Sequence, residues 1–211
     1  MLAMFDKEKK RRIARVDIDA TGPGRWASQI DDRPSPILVW HHVVLTTYGA
    51  WLDGDPRGFR TKNHRKHIEG DHKHPPRPGS YKGRLRGSQE LLSQEPVAFD
   101  AAWRSIVGNA LRTACFDLDI ELLAIAVSRQ HVHLQMRTPF GRARHVAGIL
   151  KNHAGYSMKQ RGWTGKLWAK RSKAVPIRTR DHQVKVFRYI MRHAYEDAWV
   201  WHWKRGDDGQ A

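Results

Sequence analysis

Two apolar segments separated by three residues constrain this chain more than any other feature. Ile120 to Val127 and His131 to Arg137 read as strands, with only Ser128-Arg129-Gln130 between them. A link this short joins antiparallel neighbours, because a parallel pair needs a crossover of roughly a dozen residues or more. A β-hairpin therefore stands at the centre of the predicted sheet.

The flanking segments supply the rest. Ile37 to Thr47 reads as an earlier strand. Between Ala98 and Phe116, apolar residues at Phe99, Trp103, Ile106, Val107, Ala110 and Leu111 recur at helical spacing. Arg142 to about Lys159 is a second helix, with Val146, Ile149 and Leu150 on its apolar face. Leu167 to Ile177 reads as a short, partly extended connection. Asp181 is placed to N-cap a third helix through Val184, Val186, Phe187, Ile190 and Met191. Trp199 to Arg205 alternates like a short strand, with Trp199 and Trp203 expected to cover the core. Strand, insertion, helix, strand, strand, helix, connection, helix predicts an α+β fold, a small antiparallel sheet covered by helices. In domain terms, 1–34 is a flexible basic arm, 35–205 one domain with a basic, His-rich insertion at about 55–95, and 206–211 a tail.

Charge narrows the partners. Lys and Arg total 38 against 21 acidic residues, a formal charge of +17, which favours nucleic acid or an anionic membrane surface. No apolar run approaches the roughly 18 residues of a membrane span. The basic N-terminus lacks the apolar stretch of a signal peptide. One cysteine, Cys115, excludes an internal disulfide and fits a reducing cytosol. The expectation is a soluble, cytoplasmic, nucleic-acid-facing protein with no membrane partner.

Side chains alternate along a strand, so His131 and His133 share a face, roughly 7 Å apart at the backbone. Val132 points the other way, into the core. Two imidazoles on a rigid strand make half of a divalent-metal site. They read equally well as ordinary sheet histidines, since 13 histidines make chance His-x-His pairs expected, and His72-Lys73-His74 is another. Tyr189 and His193, four apart on the third helix, share a face of it. If that face abuts the strand, three imidazoles and a phenol converge. A phenol is a poor nucleophile at neutral pH without a cation or base beside it. From the helix alone, Tyr189 reads as a half-buried surface residue.

His131-Val132-His133 resembles the HUH motif (His, apolar residue, His), and Tyr189-Ile190-Met191-Arg192-His193 resembles the tyrosine helix of the same family. With Leu167-Trp168 and the strand order, the chain resembles the single-tyrosine HUH transposases over roughly residues 37 to 203. It is most similar to the REP-associated tyrosine transposases, whose branch carries a stretch like Tyr48-Gly49-Ala50-Trp51-Leu52-Asp53-Gly54-Asp55-Pro56-Arg57-Gly58.

The resemblance implies a ferredoxin-like HUH fold with helices on one face of the sheet. It implies that Tyr189 attacks a phosphate in single-stranded DNA, forming a 5′-phosphotyrosine link and releasing a 3′-hydroxyl. Strand transfer is the reverse step by another 3′-hydroxyl, giving DNA transposition in a bacterial cytoplasm. His131, His133 and His193 would hold Mg²⁺ or Mn²⁺. Members often carry Gln or Asn where this chain has His193, and a third imidazole shifts preference toward Mn²⁺. The partner would be single-stranded DNA with hairpin ends, bound by a monomer or by a homodimer that exchanges tyrosine helices. Arg57 and Arg60 in the insertion, and Lys166, Lys170, Arg171 and Lys173 before the tyrosine helix, are the phosphate-binding candidates. Two other readings stay open: a domesticated, catalytically silent hairpin-binding protein, and a basic RNA-binding protein.

Overall fold

The computed structural model describes residues 37–59, 65–70 and 74–205. The expected arm and tail, Arg60, and His72-Lys73 lie outside the described residues. Five strands, β1 (Leu38–Thr47), β2 (Leu122–Val127), β3 (His131–Pro139), β4 (Trp168–Pro176) and β5 (Trp199–His202), form one sheet in the order β4-β1-β3-β2-β5. The helices are α1 (Lys82–Glu90), α2 (Ala101–Asp117), α3 (Ala143–Lys159) and α4 (Arg180–Arg192). Setting α1 aside, β1-α2-β2-β3-α3-β4 is the βαββαβ order of ferredoxin-like domains. The expected α+β class is what the chain adopts. Among the described residues no helix is long and apolar enough to cross a membrane.

The chain divides into two compact units, one of residues up to 45, 99–164 and from 171 onward, the other of 46–98 and 165–170. In the smaller unit the Tyr48 N–H donates to the Leu167 carbonyl at 3.0 Å. Gly49 follows at φ +74°, where a Cβ would stand 2.8 Å from the Pro96 Cα, so both backbone angle and space require glycine. Helix α1 buries no residue. Its sequence therefore carries no apolar stripe, and hydrophobic periodicity is blind to it.

In the larger unit the hairpin forms antiparallel, with Ala126 opposite His133 and Val127 opposite Val132. On its other edge β2 pairs antiparallel with β5, Ala126 opposite Val200 and Val127 opposite Trp199. Cross-strand partners share a face, so two faces can be followed. One carries Ala124 and Ala126, packed with Ile177 and with Val186 and Ile190 of α4. Two alanines leave no bulk between β2 and α4, so the helix lies close to the sheet. The opposite face carries Val127 and Trp199, and the Trp199 ring lies over Gly108 of α2. Helix α3 packs beside α2.

Helices thus cover both faces, a correction to the one-sided arrangement implied by the resemblance. The reason is in β2 and β3, where consecutive residues from Ala124 to Val127 and from Val132 to Met136 are buried. A strand buried on both sides needs cover on both. Three further expectations change. Leu167 to Ile177 is mostly the nine-residue strand β4 at the sheet edge, with Lys170, Arg171 and Lys173 exposed; charge on an edge strand blocks edge-to-edge pairing and hides the strand from a hydrophobicity reading. The cap of α4 is Thr179, whose hydroxyl accepts from the His182 N–H at 3.1 Å, while Asp181 sits in the first turn and pairs with Lys185 at 2.7 Å. Trp203 opens a 3-10 turn and is 54% exposed, so it does not cover the core.

Because a Cβ at Gly108 would overlap the Trp199 ring, Gly108→Ala is expected to destabilise the domain by about 1–3 kcal/mol despite alanine's higher helix propensity. Urea unfolding measures this, and an unchanged midpoint would show that the ring moves aside freely.

Candidate active site

Strand β3 projects His131 and His133 toward α4, the side marked by His133's partner Ala126. Helix α4 ends at Arg192, and His193 is both its C-cap and the first residue of a 3-10 turn, His193–Glu196. Asp197 closes that turn in the left-handed region at φ 58°. Buried Arg104 of α2 clamps it, donating to the Asp197 carboxylate at 2.7 Å and also to its backbone carbonyl. The turn presenting His193 is therefore tied to the domain core.

One candidate ligand nitrogen each from His131, His133 and His193 lies within 4.8 Å of the others. The His133 and His193 rings stack with centroids 4.7 Å apart, and His131 meets them edge-on at 4.8 and 5.6 Å. The Tyr189 ring stands 5.2 Å from that of His133 and 5.0 Å from that of His193. The spacing that placed these four residues on one strand face and one helix face brings them together.

Hydrogen bonds orient two of the imidazoles. His193 Nδ1 donates to Glu196 Oε2 at 2.8 Å, which leaves Nε2 as the ring's other nitrogen. That Nε2 is buried and has no hydrogen-bond partner among the described residues. A buried acceptor left unpaired costs about 1–3 kcal/mol; a cation would satisfy it. His133 Nδ1 lies 2.9 Å from Nε2 of His42 on β1, leaving His133 Nε2 to face the cluster. A metal-binding imidazole characteristically engages its second nitrogen in this way. The donor set fits a divalent cation.

For His133 and His42 the surroundings favour the neutral ring, the state in which imidazole binds metal. Burial, then the neighbouring imidazoles and Lys173, push His133 down to about 2. Burial, with Lys173, His182 and His193 adding to it, pushes His42 down to about 4. For Tyr189, burial and then the charge of Glu196 raise the phenol above its ordinary value, with Arg192 opposing. Unassisted, the phenol holds its proton at neutral pH. Tyr189 is nonetheless 39% exposed, so the site opens to solvent on the phenol's side.

The predicted phosphate contacts separate. Lys173 acts on both His42 and His133, and Arg171 is exposed on the same strand. Lys170, Lys166 and Arg57 belong to the smaller unit. There Lys166 donates to the Ser93 hydroxyl at 2.9 Å. Arg57 is bound to the Asp55 carboxylate at 2.9 Å and lies over the Trp51 ring. His42 carried no motif signal: it meets His133 across 91 positions of sequence. Its only trace was a polar residue in an apolar strand.

No family model matches this chain, and no curated protein does. Among solved structures, a REP-associated tyrosine transposase bound to a REP hairpin is 14% identical, with a TM-score of 0.41, covering 80% of this chain and 74% of that one. A transposase candidate from Deinococcus radiodurans is also 14% identical, with a TM-score of 0.34, covering 78% of this chain and 97% of that one. Likeness at this level leaves the chemistry to be read from the residues.

Proposed function

We propose that this protein is a metal-dependent nickase and strand transferase for single-stranded DNA, with Tyr189 as nucleophile. The observation that carries the reading is the convergence of three inward-facing imidazoles on one solvent-accessible phenol. His131, His133 and His193 hold the cation, and three nitrogen donors favour Mn²⁺ over Mg²⁺. When bound, a divalent ion polarises the scissile phosphate and lowers the cost of ionising a phenol beside it.

The chain's own residues do the rest. The Tyr189 oxygen attacks phosphorus as its proton leaves through the exposed side of the site. The bond to the 3′ oxygen breaks, that oxygen takes up a proton, and the 5′ phosphate remains on Tyr189. Lys173 and Arg171 receive the flanking phosphates. Another 3′-hydroxyl reverses the step and completes transfer without ATP. A catalytically silent DNA-hairpin binder is the second reading, favoured by the raised pKa of Tyr189.

Denaturing gels of 5′- and 3′-labelled hairpin DNAs from the flanks of its own gene separate the two. The enzyme gives a protein–DNA adduct that requires Mn²⁺ or Mg²⁺; the silent binder gives tight binding without one. His42 acts here by orienting His133. His42→Ala is expected to weaken Mn²⁺ binding by about 10–100-fold, with His42→Gln recovering most of the loss. Calorimetry checks this, and unchanged affinity in the alanine variant would remove His42 from the site.

A further inference from the structure

The side of α4 facing β5 holds a cavity of about 400 Å³. Its lining includes Arg180, Phe187 and Arg188 from the helix, and His202, Trp203 and Lys204 from β5 and the turn after it. Adjacent positions on a helix project about 100° apart, so Arg188 looks away from the site that Tyr189 faces. The cavity is a separate place.

Its chemistry is specific. Three permanent cations line it and, among the described residues, no lining side chain is acidic. Trp203 is 54% exposed, with the Lys204 Nζ 5.5 Å from its ring centroid. The Phe187 and His202 rings meet edge-on at 6.0 Å. His202 Nδ1 is buried and, among the described residues, has no hydrogen-bond partner. Arg180 spends one N–H on Gln183 at 2.8 Å and has others to offer.

We propose that this cavity binds one unpaired nucleotide of single-stranded DNA, away from the scissile phosphate; the assignment to DNA rests on the function proposed above. The base stacks on Trp203, with Phe187 and His202 forming the wall beside it. The phosphate lies among Arg188, Lys204 and Arg180. Exposed aromatic surface beside cations is the arrangement that grips unpaired nucleic acid, and the volume falls in the roughly 300–1,000 Å³ range of small-ligand sites. A duplex offers no free base to enter it.

The test uses the full chain carrying Tyr189→Phe, so that cleavage does not intervene, and a labelled oligo(dT) followed by anisotropy. Adding Trp203→Ala, a change at a largely exposed position, is expected to weaken binding about tenfold. Adding Arg188→Gln is expected to reduce the slope of log affinity against log salt by about one contact's worth. Parental affinity and salt slope in both variants would overturn the proposal. So would oligo(rU) held as tightly as oligo(dT) and weakened equally by Trp203→Ala, which would make this an RNA site. Adduct formation by the chain with Tyr189 intact separates the two ideas. If no adduct forms but Trp203→Ala still weakens binding, the cavity stands and the catalytic reading falls. If adducts form and Trp203→Ala binds as its parent, the cavity assignment falls alone.

Discussion

Tyr189→Phe is expected to abolish covalent capture of DNA, with a rate loss on the order of 10⁴-fold or more, equivalent to about 5.5 kcal/mol of transition-state stabilisation. The substitution removes one oxygen and keeps the ring. That ring makes the contacts with His133, His193 and His42, at 5.2, 5.0 and 5.8 Å between centroids. The phenylalanine variant is therefore expected to fold, bind Mn²⁺ and bind DNA as the parent does. Single-turnover cleavage, beside calorimetric metal titration of the same preparation, reads both halves. A variant that still forms adducts would assign the nucleophile elsewhere; one that also loses metal would give the hydroxyl a ligand's role.

The second large effect concerns the imidazoles. His133 and His193 are 5% and 6% exposed, and each has its Nδ1 engaged, by His42 and by Glu196 respectively. Replacing either with alanine removes a donor that is already oriented. The loss of Mn²⁺ affinity should exceed the roughly 10–100-fold that changing a ligand's hydrogen-bond partner costs, and cleavage should fall with it. His193→Gln is more informative. It keeps a donor of similar reach but replaces nitrogen with a harder oxygen. This variant is expected to retain cleavage while moving its preference from Mn²⁺ toward Mg²⁺. Cleavage rates across a titration of each ion measure the shift, and an unchanged Mn²⁺ preference would contradict the assignment of His193 as a ligand.

Two periodicities made these residues legible before any coordinates. Alternation along a strand placed His131 with His133, and the helical repeat placed Tyr189 with His193. Both are local geometry, fixed within five residues, and the hairpin and the long amphipathic helices α2, α3 and α4 were legible for the same reason. The site's other parts are not local. His42 reaches His133 from another strand, and Arg104 reaches Asp197 across 93 positions, so neither leaves a pattern that spacing can reveal. Glu196 lies just three residues past His193, but its role depends on a 3-10 turn that follows the helix. Polar elements were hidden differently. Helix α1 buries nothing, and β4 exposes its cations at the sheet edge, so both lack the apolar signal by which elements are recognised. The two-sided cover of the sheet was visible in the unbroken apolar run of β2, Leu122 to Val127, a pattern that outweighs the one-sided arrangement implied by the resemblance.

In the proposed mechanism Tyr189 itself becomes joined to a 5′ phosphate in a metal-dependent step. The direct measurement is mass spectrometry of protease digests after incubating the protein with a single-stranded hairpin DNA and Mn²⁺, with a chelated sample beside it. The expected result is a nucleotide adduct on the peptide containing Tyr189, present with Mn²⁺ and absent with chelator. DNA bound tightly by unmodified Tyr189 under both conditions would contradict it and leave a hairpin-binding protein in its place.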